Sequence, residues 1–217
     1  NGAGRQIHDL IPTDFDGEYR DSLTPDIGAD EYILIANDAG LISMESPIVG
    51  CAGSSLDVKV KLKSFGFDTL TTCTINWSID GVMKTPFIVT DTLVFHQTKD
   101  ILLGSESFST GTTHTLKFWT SSPNNTTDLN PYNDTIVDYF KTGLPAGTYT
   151  IGGNNPDFAT FVDAADEMNN YGICGPIVFN VASGTYNEQF ELSKIFGSST
   201  TNTITFQSAS ADSSDVI

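Results

Sequence analysis

Two stretches of this sequence alternate strictly between apolar and polar residues, a period of two that is typical of half-buried β-strands. In residues 57–63, three lysines alternate with Val58, Val60 and Leu62. Residues 72–79 alternate in the same way, and Asp80-Gly81, a dipeptide that favours a tight hairpin, follows at once. The inward residues of this second stretch are Cys73, Ile75, Trp77 and Ile79. The pattern therefore predicts two strands with one face on an apolar core.

Four more stretches between residues 33 and 142 have the composition of strands, and turn-forming residues separate them. They are residues 87–95, 101–108, 114–120 and 134–140. Charged residues make up only 17% of the chain, and Ser, Thr, Asn and Gly are abundant in their place. This composition favours short strands and turns over amphipathic helices. Roughly six or seven short strands with regular turns predict a β-sandwich.

Residues 143–217 combine one helix with short strands. Apolar residues recur there every three or four positions, which predicts a helix that begins near Asp157 and ends before Gly172. Its apolar face consists of Phe158, Phe161, Val162, Ala165 and Met168. Short strand-like stretches between polar corners are residues 148–153, 176–181, 184–188, 190–192 and 203–207. We interpret them as first turns of a parallel β-helix, with the helix covering its open end.

Acidic residues outnumber basic ones by 27 to 10, so the formal net charge is −17. Such a chain cannot neutralise phosphates, which excludes nucleic acid and anionic membrane as partners. The sequence has no apolar run of about 18 residues, so no membrane-spanning helix is predicted. The acidity suits an extracellular surface, although it can also serve solubility alone. The chain starts abruptly and stops in a strand-like stretch, so we expect a piece of a longer protein.

Three motifs in the last segment resemble the start of right-handed parallel β-helix proteins of the pectate-lyase and pectin-methylesterase type. They are residues 158–161, 177–181 and 184–188. In that family the catalytic carboxylates lie on later turns, so no catalytic residue is carried over to this chain. The sequence also has no Gly-x-Ser-x-Gly elbow, no phosphate-binding loop and no zinc-ligand spacing among its histidines.

The middle segment resembles the bacterial cell-adhesion-related Ig-like domain, through residues 58–66, 75–81 and 128–135. Residues 14–20 and 25–32 are similar to the closing stretch of β-helix domains in large secreted surface proteins. These resemblances imply an all-β chain with three parts. Residues 1–32 would be the tail of one β-helix, residues 33–142 an Ig-like β-sandwich, and residues 143–217 the helix-capped start of a second β-helix.

The one cofactor that the sequence suggests is calcium, in the first segment. Asp14, Asp16 and Glu18 alternate around Gly17, and alternating oxygen ligands beside a glycine resemble part of a calcium loop. The complete twelve-residue pattern is absent, and an ion pair between one of the aspartates and Arg20 is the simpler interpretation. We predict no other cofactor.

Glycosylation is implied by the resemblance to proteins exported through type IX secretion, which are often O-glycosylated at a tripeptide of Asp, a hydroxyl residue and an aliphatic residue. Four such tripeptides occur, with Ser22, Thr69, Thr92 and Thr135 as acceptors. Because Asp and Thr are abundant, one or two of these matches can arise by chance.

We expect no disulfide. An exported chain permits one, but Cys51 and Cys73 should lie at opposite ends of a strand about 20 Å long, beyond the reach of a disulfide. Cys174 is interpreted as a small buried residue.

The leading functional hypothesis is a non-catalytic, stiff spacer in a large secreted adhesin-like surface protein. Its partners would be neighbouring domains of the same chain, type IX secretion or outer-membrane anchoring proteins, and extracellular polysaccharide. The alternatives are the N-terminal part of a β-helix polysaccharide lyase or esterase with catalytic turns beyond Ile217, and a sugar-binding accessory domain.

Overall fold

The structure is a computed structural model that describes Pro12, Thr13 and residues 35–217. These residues form eleven strands, one α-helix and two 3₁₀ helices. The strands are β1 (Ala39–Ser46), β2 (Leu56–Ser64), β3 (Cys73–Ile79), β4 (Val82–Met83), β5 (Phe87–Val89), β6 (Thr98–Glu106), β7 (Thr113–Ser121), β8 (Thr135–Lys141), β9 (Leu144–Ile151), β10 (Ile173–Val181) and β11 (Ile204–Ser208). The helix α1 spans Phe161–Tyr171, and the 3₁₀ helices span Pro123–Asn125 and Ser213–Asp215. The predicted tail at residues 1–32 lies outside the described residues, apart from Pro12 and Thr13.

Two antiparallel sheets enclose the first core. One has the strand order β1–β2–β6, and the other β4–β3–β7–β8 with β5 also paired to β3. The alternation in β2 and β3 sends every second side chain inward, so both sheets contribute to one buried cluster. Trp77 stacks on Phe118 there, with ring centroids 6.4 Å apart. The prediction of a mostly-β fold is confirmed for the described residues; its Ig-like and β-helix details stay predictions.

The strand predicted at residues 87–95 is shorter in the structure. β5 ends at Val89, and Leu93 forms an isolated antiparallel bridge with Leu70 instead of continuing alongside β3. Leu70 and Leu93 exchange backbone hydrogen bonds of 2.8 and 2.9 Å, and both side chains are buried. The stretch therefore breaks in two because its second half pairs with another part of the chain.

A three-stranded parallel sheet and α1 form the second core. The strand order is β9–β10–β11, and Phe179 of β10 lies in register with Tyr149 on one side and Phe206 on the other. The three rings are neighbours, with centroid distances of 5.9 Å and 4.8 Å from Phe179. Below, the sandwich means residues 35–142 and the parallel unit means residues 143–217; the predicted domain boundaries themselves stay predictions.

Helix α1 begins later than the sequence pattern predicted. Asp157 accepts hydrogen bonds from the amide and hydroxyl of Thr150, and Phe158 forms a parallel bridge with Ile151, so both residues belong to the sheet rather than the helix. Thr160 is the N-cap: its hydroxyl accepts from the Asp163 amide, and the Asp163 carboxylate accepts from the Thr160 amide. This capping box satisfies two amides that the first turn leaves unpaired.

Gly184 forms an isolated parallel bridge with Val216, whereas residues 187–192 lie along α1 instead of forming the predicted short strands. The Glu188 carboxylate accepts hydrogen bonds from the Phe161 and Val162 amides at the helix N-terminus, at 3.1 and 3.0 Å. A negative charge is favourable there because the helix dipole and the unpaired amides point toward it. Phe190 stacks on Phe161 at 5.2 Å. Glu188 is therefore a helix-capping residue.

Replacing Phe179 with Ala should lower the free energy of unfolding by about 3–5 kcal/mol, because a fully buried aromatic ring leaves a cavity and loses its contacts with both neighbouring rings. Chemical denaturation followed by far-ultraviolet circular dichroism measures this. Phe179→Leu is the matched control and should cost less, since it keeps most of the apolar volume. Equal stability of Phe179→Ala and the native protein would contradict the described packing.

Candidate functional site: the junction between the two cores

The connection between the sandwich and the parallel unit is two residues long. β8 ends at Lys141 and β9 begins at Leu144, so only Thr142 and Gly143 lie between them. Thr142 is 2% exposed. The Gly143 amide donates to the Gly50 carbonyl at 2.9 Å, and a Cβ at Gly143 would lie 2.9 Å from the Tyr171 carbonyl oxygen. The connection is therefore packed against both units and accepts no larger residue at Gly143 without a shift. We call this connection and its surrounding contacts the junction.

A disulfide crosses the junction. Cys51, in the loop between β1 and β2, is bonded to Cys174 of β10, and their Cα atoms are 5.5 Å apart. The expectation of no disulfide was wrong. The narrower expectation that Cys51 and Cys73 are not bonded agrees with the structure, in which Cys73 is free and buried. The partner of Cys51 is 123 residues away, and only the docking of the two units brings it close.

An ion pair also crosses the junction. Lys141 Nζ of the sandwich lies 2.6 Å from Glu167 Oε1 of α1, and the side chains are only 22% and 16% exposed. The same ammonium lies 5.1 Å from the ring centroid of Tyr171, a distance at which a cation is attracted to an aromatic face. Because the pair is largely shielded from water, salt screens it less than a surface pair.

A cavity of about 360 Å³ opens beside these contacts. Its lining residues come from both units: Gly111, Lys141 and Thr142 from the sandwich, and Gly143, Leu144, Pro145, Tyr149, Asp157, Phe158 and Glu167 from the parallel unit. Burial raises the pKa of the Tyr149 hydroxyl, and the nearby charges of Asp157 and Glu167 raise that pKa further. The cavity therefore combines aromatic walls with acidic groups close to one another.

Three aspartates lie close together at one end of the sandwich. Asp38 is 4% exposed, and its two carboxylate oxygens accept from the side-chain amides of Asn130 and Asn133, both at 2.9 Å. Burial raises the pKa of Asp134 to about 6, and the charges of Asp128 and Asp38 contribute. Burial likewise raises the pKa of Asp128. Amide and hydroxyl donors, rather than cations, compensate these carboxylates in the described part of the chain.

Ser109, His114 and Asp80 form a hydrogen-bonded line that resembles a hydrolase triad in composition. His114 Nδ1 lies 2.6 Å from Asp80 Oδ2, and His114 Nε2 lies 3.1 Å from Ser109 Oγ. The Ser109 backbone amide also donates to the same Nε2, at 3.2 Å. The imidazole thus joins the turn after β3 to the loop before β7, and its ring packs edge-on against Phe108 with centroids 5.2 Å apart.

The residues predicted as sites are not brought together as one site. Asp14, Asp16, Glu18 and Ser22 lie outside the described residues. Thr69, Thr92 and Thr135 are exposed, and each precedes a residue that is buried or half-buried. The Leu70–Leu93 bridge places Thr69 and Thr92 on neighbouring segments. Glycosylation and calcium binding stay predictions.

Among the residues that the structure describes, no three His, Cys, Asp or Glu side chains converge closely enough to hold a metal ion. The same residues contain no helix with the length and apolar character needed to cross a membrane.

No family model and no curated protein matches the sequence. A CARDB domain from Pyrococcus furiosus, solved in complex with di-metal ions, shares 14% identity and a TM-score of 0.44, over 51% of this chain and 97% of its own. A domain of a protein described as a cell surface protein from Methanosarcina acetivorans shares 17% identity and a TM-score of 0.43, over 50% and 93%. A β-glucosidase from Listeria innocua shares 13% identity and a TM-score of 0.30, over 65% and 20%. These likenesses are partial, so the conclusions below rest on the contacts of this chain.

Thiol counting tests the disulfide. The sequence contains three cysteines, and burial raises the pKa of the Cys73 thiol to about 12, with the Asp128 charge contributing, so this thiol should not react in the native protein. Alkylation followed by intact-mass measurement should add no label to the native protein, one after denaturation, and three after denaturation with reduction. Three labels without reduction would contradict the disulfide.

Asp134→Asn should stabilise the protein at neutral pH. The pKa of Asp134 is raised in the folded state, so its unfavourable contribution develops as pH rises from about 4 to about 6. An amide oxygen at this position can still accept from Thr120 Oγ1, which lies 3.0 Å from Asp134 Oδ1. The gain in unfolding free energy should be near zero below pH 4 and about 1 kcal/mol at pH 7, after allowing for solvent screening. Denaturation midpoints across this pH range measure the gain, and a loss at pH 7 would refute the assignment.

Proposed function

We propose that this chain is a non-catalytic, stiff spacer segment of a large secreted cell-surface protein. The observation that carries the proposal is the junction, where a two-residue connection, a disulfide and a largely buried ion pair join the sandwich to the parallel unit. A flexible linker between domains is typically longer, polar and exposed. Here the connection is buried on both sides, so bending would have to break several contacts at once.

The disulfide is the strongest of these ties because it is covalent and joins segments far apart in sequence. Cys51 lies on the opposite side of the connection from Cys174, so rotation about Thr142 and Gly143 is limited by a second attachment point. Lys141 and Glu167 add an electrostatic tie on α1. Two separate attachments restrict both bending and twisting, whereas one would leave a hinge.

Export from the cell is part of the proposal. Disulfides persist in oxidising compartments and are rare in the cytosol of most organisms, so the Cys51–Cys174 bond supports an extracellular location. The net charge of −17 suits a hydrated surface that does not aggregate. The same proposal includes glycans at Thr69, Thr92 and Thr135 and secretion through a type IX system.

The parallel sheet is proposed to be the start of a β-helix. The in-register row of Tyr149, Phe179 and Phe206 supports this, because β-helices stack equivalent side chains from successive turns. In this proposal the sandwich and the β-helix alternate along the parent protein and hold distal regions away from the cell. Turnover of a polysaccharide by the full-length protein would overturn the non-catalytic reading and favour a secreted lyase or esterase.

The stiffness of the junction is tested by measuring a distance distribution across it. We choose Thr69 and Thr200, because both are exposed and they lie in different units. Each is replaced by p-acetylphenylalanine, which is then spin-labelled, and pulsed electron paramagnetic resonance measures the distance between the two labels. The native protein should give one narrow distribution. The combined variant Cys51→Ser, Cys174→Ser and Lys141→Ala should broaden it, because both ties are removed.

Lys59→Ala is the matched control for this experiment. It removes an exposed ion pair with Asp57 inside the sandwich and should leave the distribution unchanged. A broad or multimodal distribution in the oxidised native protein would refute the spacer proposal, whatever the variants show.

A further inference from the structure

The cavity beside the junction has the features of a ligand site. Ligand pockets often lie between structural units and occupy about 300–1,000 Å³, and this one measures about 360 Å³, at the lower end of that range. Its walls come from both units, so it exists only when they are docked. A cavity of this size has room for one or two sugar rings and not for an extended peptide.

The carboxylates in the cavity have unused hydrogen-bonding capacity. Asp157 Oδ2 accepts from the amide and hydroxyl of Thr150, both at 2.8 Å, while its other oxygen has no partner among the described residues. Glu167 Oε1 lies 2.6 Å from Lys141 Nζ, and Glu167 Oε2 likewise has no partner in the described part of the chain. Within residues 35–217, two acceptor oxygens and the remaining N–H groups of an ammonium are therefore left for a ligand.

The charges in the cavity disfavour anionic ligands and metal ions. Two carboxylates and one ammonium give the lining a net negative charge, which disfavours phosphates, sulfates and uronic acids. A metal ion is disfavoured because the Lys141 ammonium lies in the lining and because the described residues bring no three ligands together. The acceptor oxygens of Asp157 and Glu167 fit an uncharged molecule with several hydroxyl donors.

The aromatic walls of the cavity favour a ligand that also has an apolar face. The rings of Tyr149 and Phe158 line the cavity with centroids 6.1 Å apart and an interplanar angle of 60°. Aromatic side chains offer large apolar contact area at a small cost in conformational entropy. A pyranose ring has an apolar C–H face and a rim of hydroxyl donors, so it matches apolar walls beside carboxylate acceptors.

We propose that the junction cavity binds a neutral sugar residue of an extracellular polysaccharide, with Asp157 and Glu167 accepting from its hydroxyls and Tyr149 and Phe158 contacting its apolar face. The inference rests on the spacer proposal, because the cavity needs the fixed junction for its two walls. It gives the segment a contact with the polysaccharide matrix at the point where its two units meet.

Saturation-transfer nuclear magnetic resonance on the full 217-residue chain tests the inference, with cellohexaose, mannohexaose and xylohexaose as neutral probes and trigalacturonate as the charged comparison. At least one neutral hexasaccharide should bind and trigalacturonate should not. Glu167→Gln should weaken binding by about tenfold or more, because a charged acceptor is lost. Asp157→Asn should also weaken it, without affecting the Lys141 ion pair.

Glu191→Gln is the matched control, since Glu191 is exposed and does not line the cavity; it should bind as the native chain does. Absence of binding by every neutral probe at millimolar concentration would overturn the inference, as would binding that both cavity variants leave unchanged or binding of trigalacturonate alone. The spin-label distances are measured on the same variants. A narrow distribution without sugar binding refutes only the cavity inference, whereas a broad one refutes the spacer.

Discussion

The two-residue connection between β8 and β9 is the constraint on which the rest of the arrangement depends. With only Thr142 and Gly143 between two strands of different sheets, the sandwich and the parallel unit must be in contact. Glycine at position 143 allows the backbone to pass close to the end of α1. The disulfide, the ion pair and the cavity all follow from this enforced contact, because each takes one part from either unit.

The acidic composition has a local consequence in each unit. At the end of the sandwich, Asp38, Asp128 and Asp134 lie close together, and hydrogen bonds from Asn130, Asn133 and Thr120 offset part of the repulsion. At the junction, Lys141 pairs with Glu167 of the parallel unit and is attracted to the ring of Tyr171. Hydrogen-bond donors at the end of the sandwich, and one lysine at the junction, thus offset the charge of the carboxylates that the fold buries there.

Local pattern was enough to predict the strands with strict alternation and the existence of α1. It misplaced the start of the helix because Asp157 and Phe158 have helical spacing but are held by Thr150 and Ile151 of the sheet. It also missed Glu188 as a cap, since the helix amides that it accepts from lie 26 and 27 residues earlier in the chain. The Cys51–Cys174 pairing could not be predicted locally, because the two cysteines are 123 residues apart in the chain.

The sequence by itself determined the mostly-β character, because a period of two in side-chain polarity is a local property that any half-buried strand must satisfy. It also determined the formal net charge of −17, which depends on composition and not on the fold. Only the tertiary structure decided which residues meet at the junction. Cys51 with Cys174 and Lys141 with Glu167 are pairs without local signature, and their contact depends on how two separate cores dock. The docking of the two units depends on the shape of their folded surfaces. Residues from distant parts of the chain form these surfaces, so no short stretch of sequence predicts how they meet.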